Sequence, residues 1–130
     1  MTVLLDTHVL LWALSTPERI PERERAVLED GANRVLYSAA SVWEIAIKQA
    51  LGRVRFDFDA AVIALEAQRV GFSELPVFAA AAAGVAKLPA HHRDPFDRLL
   101  VAQALSEPAR LLTADPALVP YTELVWLFAA

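Results

Sequence analysis

The sequence predicts an α/β domain built on a parallel sheet with helices on both faces. Three observations predict it. Short apolar runs alternate with helical segments along the chain. The clearest run, Thr2–Leu5, is continuously apolar after its first residue, as suits a strand buried on both faces. Helix start and stop signals stand between the runs.

Taken in order, residues 2–5 form the first strand, and a helix follows over 9–14 until Pro17 ends that region. Residues 21–30 (PERERAVLED) have proline at a helix start and Gly31 past the end. Residues 34–37 are the second strand. Ser38 can cap a helix over 39–51, which Gly52 closes. Asp59 can cap 60–69, and 72–75 is a short third strand. The alanine run 79–83 marks a helix over 77–87, because alanine is the best helix former. Asp94-Pro95 opens a helix reaching about residue 105. Residues 110–113 are the fourth strand, Asp115-Pro116 starts a short helical turn, and 124–128 are the fifth strand.

The 130 residues are the size of one domain, so a single domain over 1–130 is expected. Apolar residues make up 56% and charged residues 22%, which argues against a disordered chain. The apolar surplus also hints at a surface kept for a partner. There is no cysteine, which excludes disulfides and thiolate metal sites. The opening MTVLLDTHVLLWALS has no basic leader and is interrupted by Asp6 and His8, so it is not read as a signal peptide. No run approaches the ~18 apolar residues of a membrane span. The expectation is a cytoplasmic protein with no membrane association. The net charge of -4 would not by itself suggest a nucleic-acid binder.

The acids carry the chemistry. Asp6 follows the first strand and Asp115 follows the fourth by one residue, so both fall at carboxyl ends, where ligands bind in open α/β sheets. Glu44 lies in the second turn of the helix after the second strand. Asp97 lies in the first turn of the helix leading to the fourth. If these strands are central neighbours, four carboxylates meet in one pocket. Packed carboxylates either rise in pKa or are neutralised by a cation. Oxygen donors without thiolates suit magnesium or manganese, which can hold a phosphodiester and acidify a bound water.

Each acid also has a plainer role. Asp94 before Pro95 is an N-cap, and Asp97 three residues on could complete a capping box. Asp115-Pro116 repeats the cap pattern, Asp6 could cap its own helix, and Glu44 could pair with Lys48 at i,i+4. His8 is read as shaping a helix start rather than as binding metal. His91 and His92 sit in a proline-flanked loop as a solvated turn or a phosphate contact. Trp12, Trp43 and Trp126 are read as core or interface residues rather than base-stacking platforms.

The segments VLLDTH, SVWEIAIK, HRDPFDRLLVAQA and LLTADPAL, in that order, resemble the signatures of PIN-domain proteins, most closely VapC-type toxins of prokaryotic toxin–antitoxin pairs. The resemblance covers nearly the whole chain. It implies a Rossmann-like three-layer α/β/α sandwich with a five-stranded parallel sheet, and Mg2+- or Mn2+-dependent RNA cleavage. The matching catalytic, metal-holding acids are Asp6, Glu44, Asp97 and Asp115. The motif begins at DRLLVAQA, which makes Asp97 the ligand and Asp94 an accessory. Thr113 matches a small hydroxyl residue near the fourth acid. The resemblance further implies a cognate antitoxin, whose tail places a basic residue near the pocket, and gives most of the weight to a homodimer, for which Trp43 and Ile47 are face candidates. RNA would be held through the metal and through basic groups, with Lys48, Arg53, Arg55, Arg93 and Arg98 as candidates.

Three other readings are weaker. A metal-dependent phosphatase on a similar sheet would want a second acid two residues after the first, and that position is His8. A phosphate-receiver domain would need paired early acids and a matching lysine. A PIN scaffold kept only for protein assembly would be favoured by a missing acid, and the set is complete.

Overall fold

The computed structural model describes residues 1–52 and 59–130. Five strands form one sheet: β1 (Thr2–Leu5), β2 (Arg34–Ser38), β3 (Ser73–Leu75), β4 (Arg110–Thr113) and β5 (Val125–Leu127). Their order is β3-β2-β1-β4-β5, and every pairing is parallel. The helices are α1 (Thr7–Ser15), α2 (Glu22–Glu29), α3 (Ala39–Ala50), α4 (Ala60–Arg69), α5 (Ala79–Gly84) and α6 (Pro95–Ser106), with 3-10 turns at Pro17–Arg19, Val85–Lys87 and Pro116–Tyr121.

The continuous apolar strands are explained by the layers on either side. In β1, Val3 and Leu5 enter one core and Leu4 enters the other. In β2, Val35 and Tyr37 go with the first and Leu36 with the second; Leu112 and Leu111 of β4 divide likewise. The period-two alternation of a strand therefore feeds two separate cores. Val9 and Leu10 of α1, Ile45 of α3 and Ile63 of α4 close the first. Leu100, Val101 and Ala104 of α6, with Leu118, close the second. The result is the three-layer α/β/α arrangement expected.

Several boundaries differ from the sequence expectation. Helix α1 starts at Thr7, two residues early, because Asp6 is its N-cap and its side chain accepts from the Val9 N–H. Helix α5 starts only at Ala79, and the segment narrows to a 3-10 turn from Val85. Phe78 is extended at the N-cap, and Gly84 weakens the helix where the narrowing occurs. The turn after Asp115 runs six residues, longer than expected.

The chain leaves β1 toward β2 and β3, then crosses back to place β4 on the other edge of β1. The reversal between β1 and β4 is the topological switch point, and the crevice beyond their carboxyl ends is where such sheets bind ligands. The Asp6 N–H donates to the Leu112 carbonyl at 3.1 Å, carrying the β1–β4 pairing to the edge of that crevice.

Candidate active site

Helix starts converge on the switch point, and three of them deliver an aspartate. Asp6 Oδ1 accepts the Val9 N–H at 2.9 Å, and its Oδ2 accepts from the Thr113 hydroxyl. Asp115 Oδ1 accepts the Ala117 N–H at 2.9 Å, and its Oδ2 faces His92 Nε2 at 3.2 Å. Asp94 Oδ1 accepts from Phe96 N at 2.8 Å and from Asp97 N at 3.3 Å, as an N-cap should. The capping box is not closed, however. The Asp94 N–H donates to His92 Nδ1 at 3.0 Å and not to the Asp97 carboxylate. Asp97 is thereby free to face the other acids.

Glu44 is buried and fully engaged. The Thr7 hydroxyl donates to its Oε1 at 2.7 Å, with Ser41 Oγ 2.9 Å from the same hydroxyl, and Lys48 Nζ donates to its Oε2 at 2.6 Å. Asp97 registers the crowding. Its carboxyl is pushed up from the usual 3.8 to about 7, first by burial and then by the charges of Asp94, Asp6 and Glu44, with His92 partly opposing. Burial raises Asp6 as well, against hydrogen bonds from Thr113 and Val9 that favour its charged form. Asp97 thus feels both Asp6 and Glu44, and His92 links it to Asp115. A cleft of about 380 Å³ opens beside them, lined by Asp6, His8, Trp12 and Asp115.

The donor set fits a hard divalent cation: carboxylate oxygens, one imidazole and no thiolate. One ligand atom each from His92, Asp97 and Asp115 lies within 4.8 Å of the others. The repulsion that raises Asp97 is what such a cation would relieve.

The basic groups fall differently. Lys48 is tied to Glu44, so it balances a buried charge before it can meet a phosphate. Arg98 is turned to main-chain carbonyls, donating to Pro89 at 2.8 Å, Val85 at 3.1 Å and Leu88 at 3.3 Å, and to the Tyr121 hydroxyl at 3.1 Å. Its guanidinium clamps a loop, so Arg98, an expected RNA contact, is already engaged within the chain. Arg93 is exposed. Arg53 and Arg55 lie outside the described residues. His8 is exposed on α1, and Trp12 stands between Arg19, 4.5 Å from its ring, and Phe128.

Sequence reasoning left His92 between a solvated turn and a phosphate contact, yet its ring stands among the acids. Its place two residues before Asp94 was the only signal available. Thr7, which fixes Glu44, adjoins Asp6 in the sequence and could have been read from that. Nothing in the sequence pointed to Tyr121.

A parallel α/β/α sheet with acids gathered at its switch point defines the class of protein. The chain belongs to the PIN domain family, whose model it matches over residues 3–122. Among curated proteins none matches in sequence. Fourteen chains of solved structures match, two of them as follows. A chain in the crystal structure of VapBC2 from Rickettsia felis bound to a DNA fragment from their promoter has a TM-score of 0.67 at 13% identity, covering 99% of this chain and 98% of that one. A chain in the crystal structure of FitAcB from Neisseria gonorrhoeae has a TM-score of 0.54 at 21% identity, covering 88% of each.

Proposed function

We propose that residues 1–130 act as a single-domain, metal-dependent endoribonuclease, the VapC-type toxin of a toxin–antitoxin pair. The observation that carries the reading is the gathering of acids at the switch point: Asp97, half-buried and within reach of His92 and Asp115, is pushed up to about 7 by desolvation and by the charges of Asp94, Asp6 and Glu44. Membership of the PIN family supports a nuclease, and the likeness to chains of VapBC2 and FitAcB supports the toxin–antitoxin setting.

Asp6, Asp97 and Asp115 would hold Mg2+ or Mn2+, with Glu44 completing the negative field. A bound divalent ion would neutralise the phosphodiester and lower the pKa of the attacking water. The chain's own residues set the stage. Thr113 fixes the Asp6 carboxylate, Thr7 and Lys48 fix Glu44, and Asp94 holds the start of α6 so that Asp97 points inward. Arg93, exposed, is a cation for the RNA backbone among the described candidates. The partners are RNA, a cognate antitoxin and a second copy of the chain. The protein works in the cytoplasm, and no described helix is long and apolar enough to cross a membrane.

The test is cleavage of RNA and DNA oligonucleotides of matched sequence, with Mn2+, with Mg2+ and with chelator. RNA cut only with metal is the expected result. Cleavage that survives chelator would remove the metal, and DNA cut as readily as RNA would remove the RNA assignment.

A further inference from the structure

His92 is fixed in the acid cluster by groups that have no acid role of their own. The Tyr121 hydroxyl accepts the His92 N–H at 2.8 Å and is itself held by Arg98. The Asp94 N–H points at His92 Nδ1 from 3.0 Å. A backbone N–H can only donate, so Nδ1 is the acceptor, and a neutral ring then carries its proton on Nε2. That nitrogen faces Asp115 Oδ2 at 3.2 Å and Asp97 Oδ2 at 3.3 Å. A protonated ring nitrogen has no lone pair to offer a cation.

The position of His92 beside two aspartates at first suggests a third metal ligand. We infer that it is instead a positioning residue, whose Nε2–H bridges the carboxylates of Asp97 and Asp115 and holds them in register for the ion. The two acids come from the starts of separate segments, α6 and the 3-10 turn Pro116–Tyr121. Tyr121 ends that second segment, so one hydroxyl ties the bridging ring to both. The inference rests on the metal-nuclease reading. Outer-sphere groups that hydrogen-bond ligating carboxylates commonly govern metal affinity by about 10–100-fold.

The experiment measures Mn2+ binding by calorimetry to the full chain and its variants, with pulsed EPR on the loaded protein. His92→Phe keeps the ring bulk and loses the donor; its Kd for Mn2+ should weaken by about 10–100-fold. His92→Gln returns an N–H near the Nε2 position and should recover most of that loss, which bulk or folding alone would not explain. Tyr121→Phe, which frees the His92 backbone while leaving the ring in place, should also weaken binding, and it stands in should His92→Phe not fold. Pulsed EPR of the wild type should show no nitrogen coordinated directly to Mn2+. A direct nitrogen coupling that His92→Phe abolishes would make His92 a ligand and overturn the inference. Wild-type affinity in both His92→Phe and Tyr121→Phe would overturn it too. A wild-type chain that binds no Mn2+ would instead overturn the nuclease reading, and the inference with it.

Discussion

Asp6 and Asp115 each give one oxygen to a helix start and the other to a side chain, Thr113 for Asp6 and His92 for Asp115, while Asp94 gives its oxygen to the start of α6 and leaves the Asp97 carboxylate unengaged by the cap. Asp6→Asn keeps an oxygen for the Val9 N–H and removes the charge, so cleavage should fall below detection while the circular dichroism spectrum is unchanged. Asp97→Asn should do the same, and Asp94→Asn should lose less activity; turnover of one labelled RNA by the three variants reads the order. The Asp97 carboxyl gives a pH prediction. Its folded value of about 7 lies above the ordinary 3.8. Above pH 7 it is ionised in both states and the penalty is fully present. Between pH 7 and 4 the native protein takes up a proton that the unfolded chain does not, so stability rises as pH falls. The metal-free protein should melt several degrees higher at pH 5 than at pH 8, about 4 °C for each kcal/mol in a chain of this size. Asp97→Asn should reduce that difference, and buried Asp6 should keep part of it. Mn2+ needs the ionised form, so the melting temperature gained from a fixed Mn2+ concentration should be larger at pH 8 than at pH 6. The acids and their capping roles were legible in the sequence because both depend on local order: an acid after a strand, an acid before a proline. The role of His92 was not, because it depends on Asp115 and Tyr121, which the fold brings in from more than twenty residues away.

At the scale of elements, Ser38 carries more than its cap. Its hydroxyl oxygen accepts the Ala40 N–H at 3.0 Å at the start of α3 and donates to Gln103 Oε1 on α6, whose amide in turn donates to the Pro76 carbonyl at 3.2 Å. One buried side chain thus links the end of β2, the helix bearing Glu44, the helix bearing Asp97 and the segment after β3. Ser38→Ala removes the cap and leaves a buried acceptor without its donor, a loss of about 1–3 kcal/mol. Urea denaturation should show a lower midpoint with an unchanged slope. The central strands β1, β2 and β4 could be read in advance, since two-sided burial writes itself as apolar runs, whereas β3 and β5 at the sheet edges are more exposed and rested on the alternation of elements. The ends of α1 and α5 could not be placed as well. They depend on a cap hydrogen bond and on where a glycine-containing helix tightens, and neither alters the apolar pattern.

At the scale of the whole molecule, an apolar face is left exposed on α3 and α6. Trp43 is 60% exposed and meets Phe96 edge-on, with ring centres 5.2 Å apart, above a hollow lined by Val85, Pro95 and Leu99. Ile47, the other face candidate, is only half-buried. A two-fold dimer using this patch would pair it with itself and should bury at least about 1,000 Å². Light scattering at micromolar concentration should give the dimer mass, and Trp43→Glu the monomer mass with Mn2+ binding retained. A wild-type monomer throughout the range would leave the acid cluster untouched, because its residues all come from one chain.

The bond from Thr113 to Asp6 joins residues 107 apart, and it closes across the seam where the chain doubles back to β1. Everything made before α6 contains Asp6 and Glu44 and neither of the later aspartates. A nascent chain on the ribosome therefore carries half a centre, and a prematurely stopped one never acquires the rest. On the reading proposed above, a nascent chain gains its activity only once the segment from α6 to Asp115 has been made.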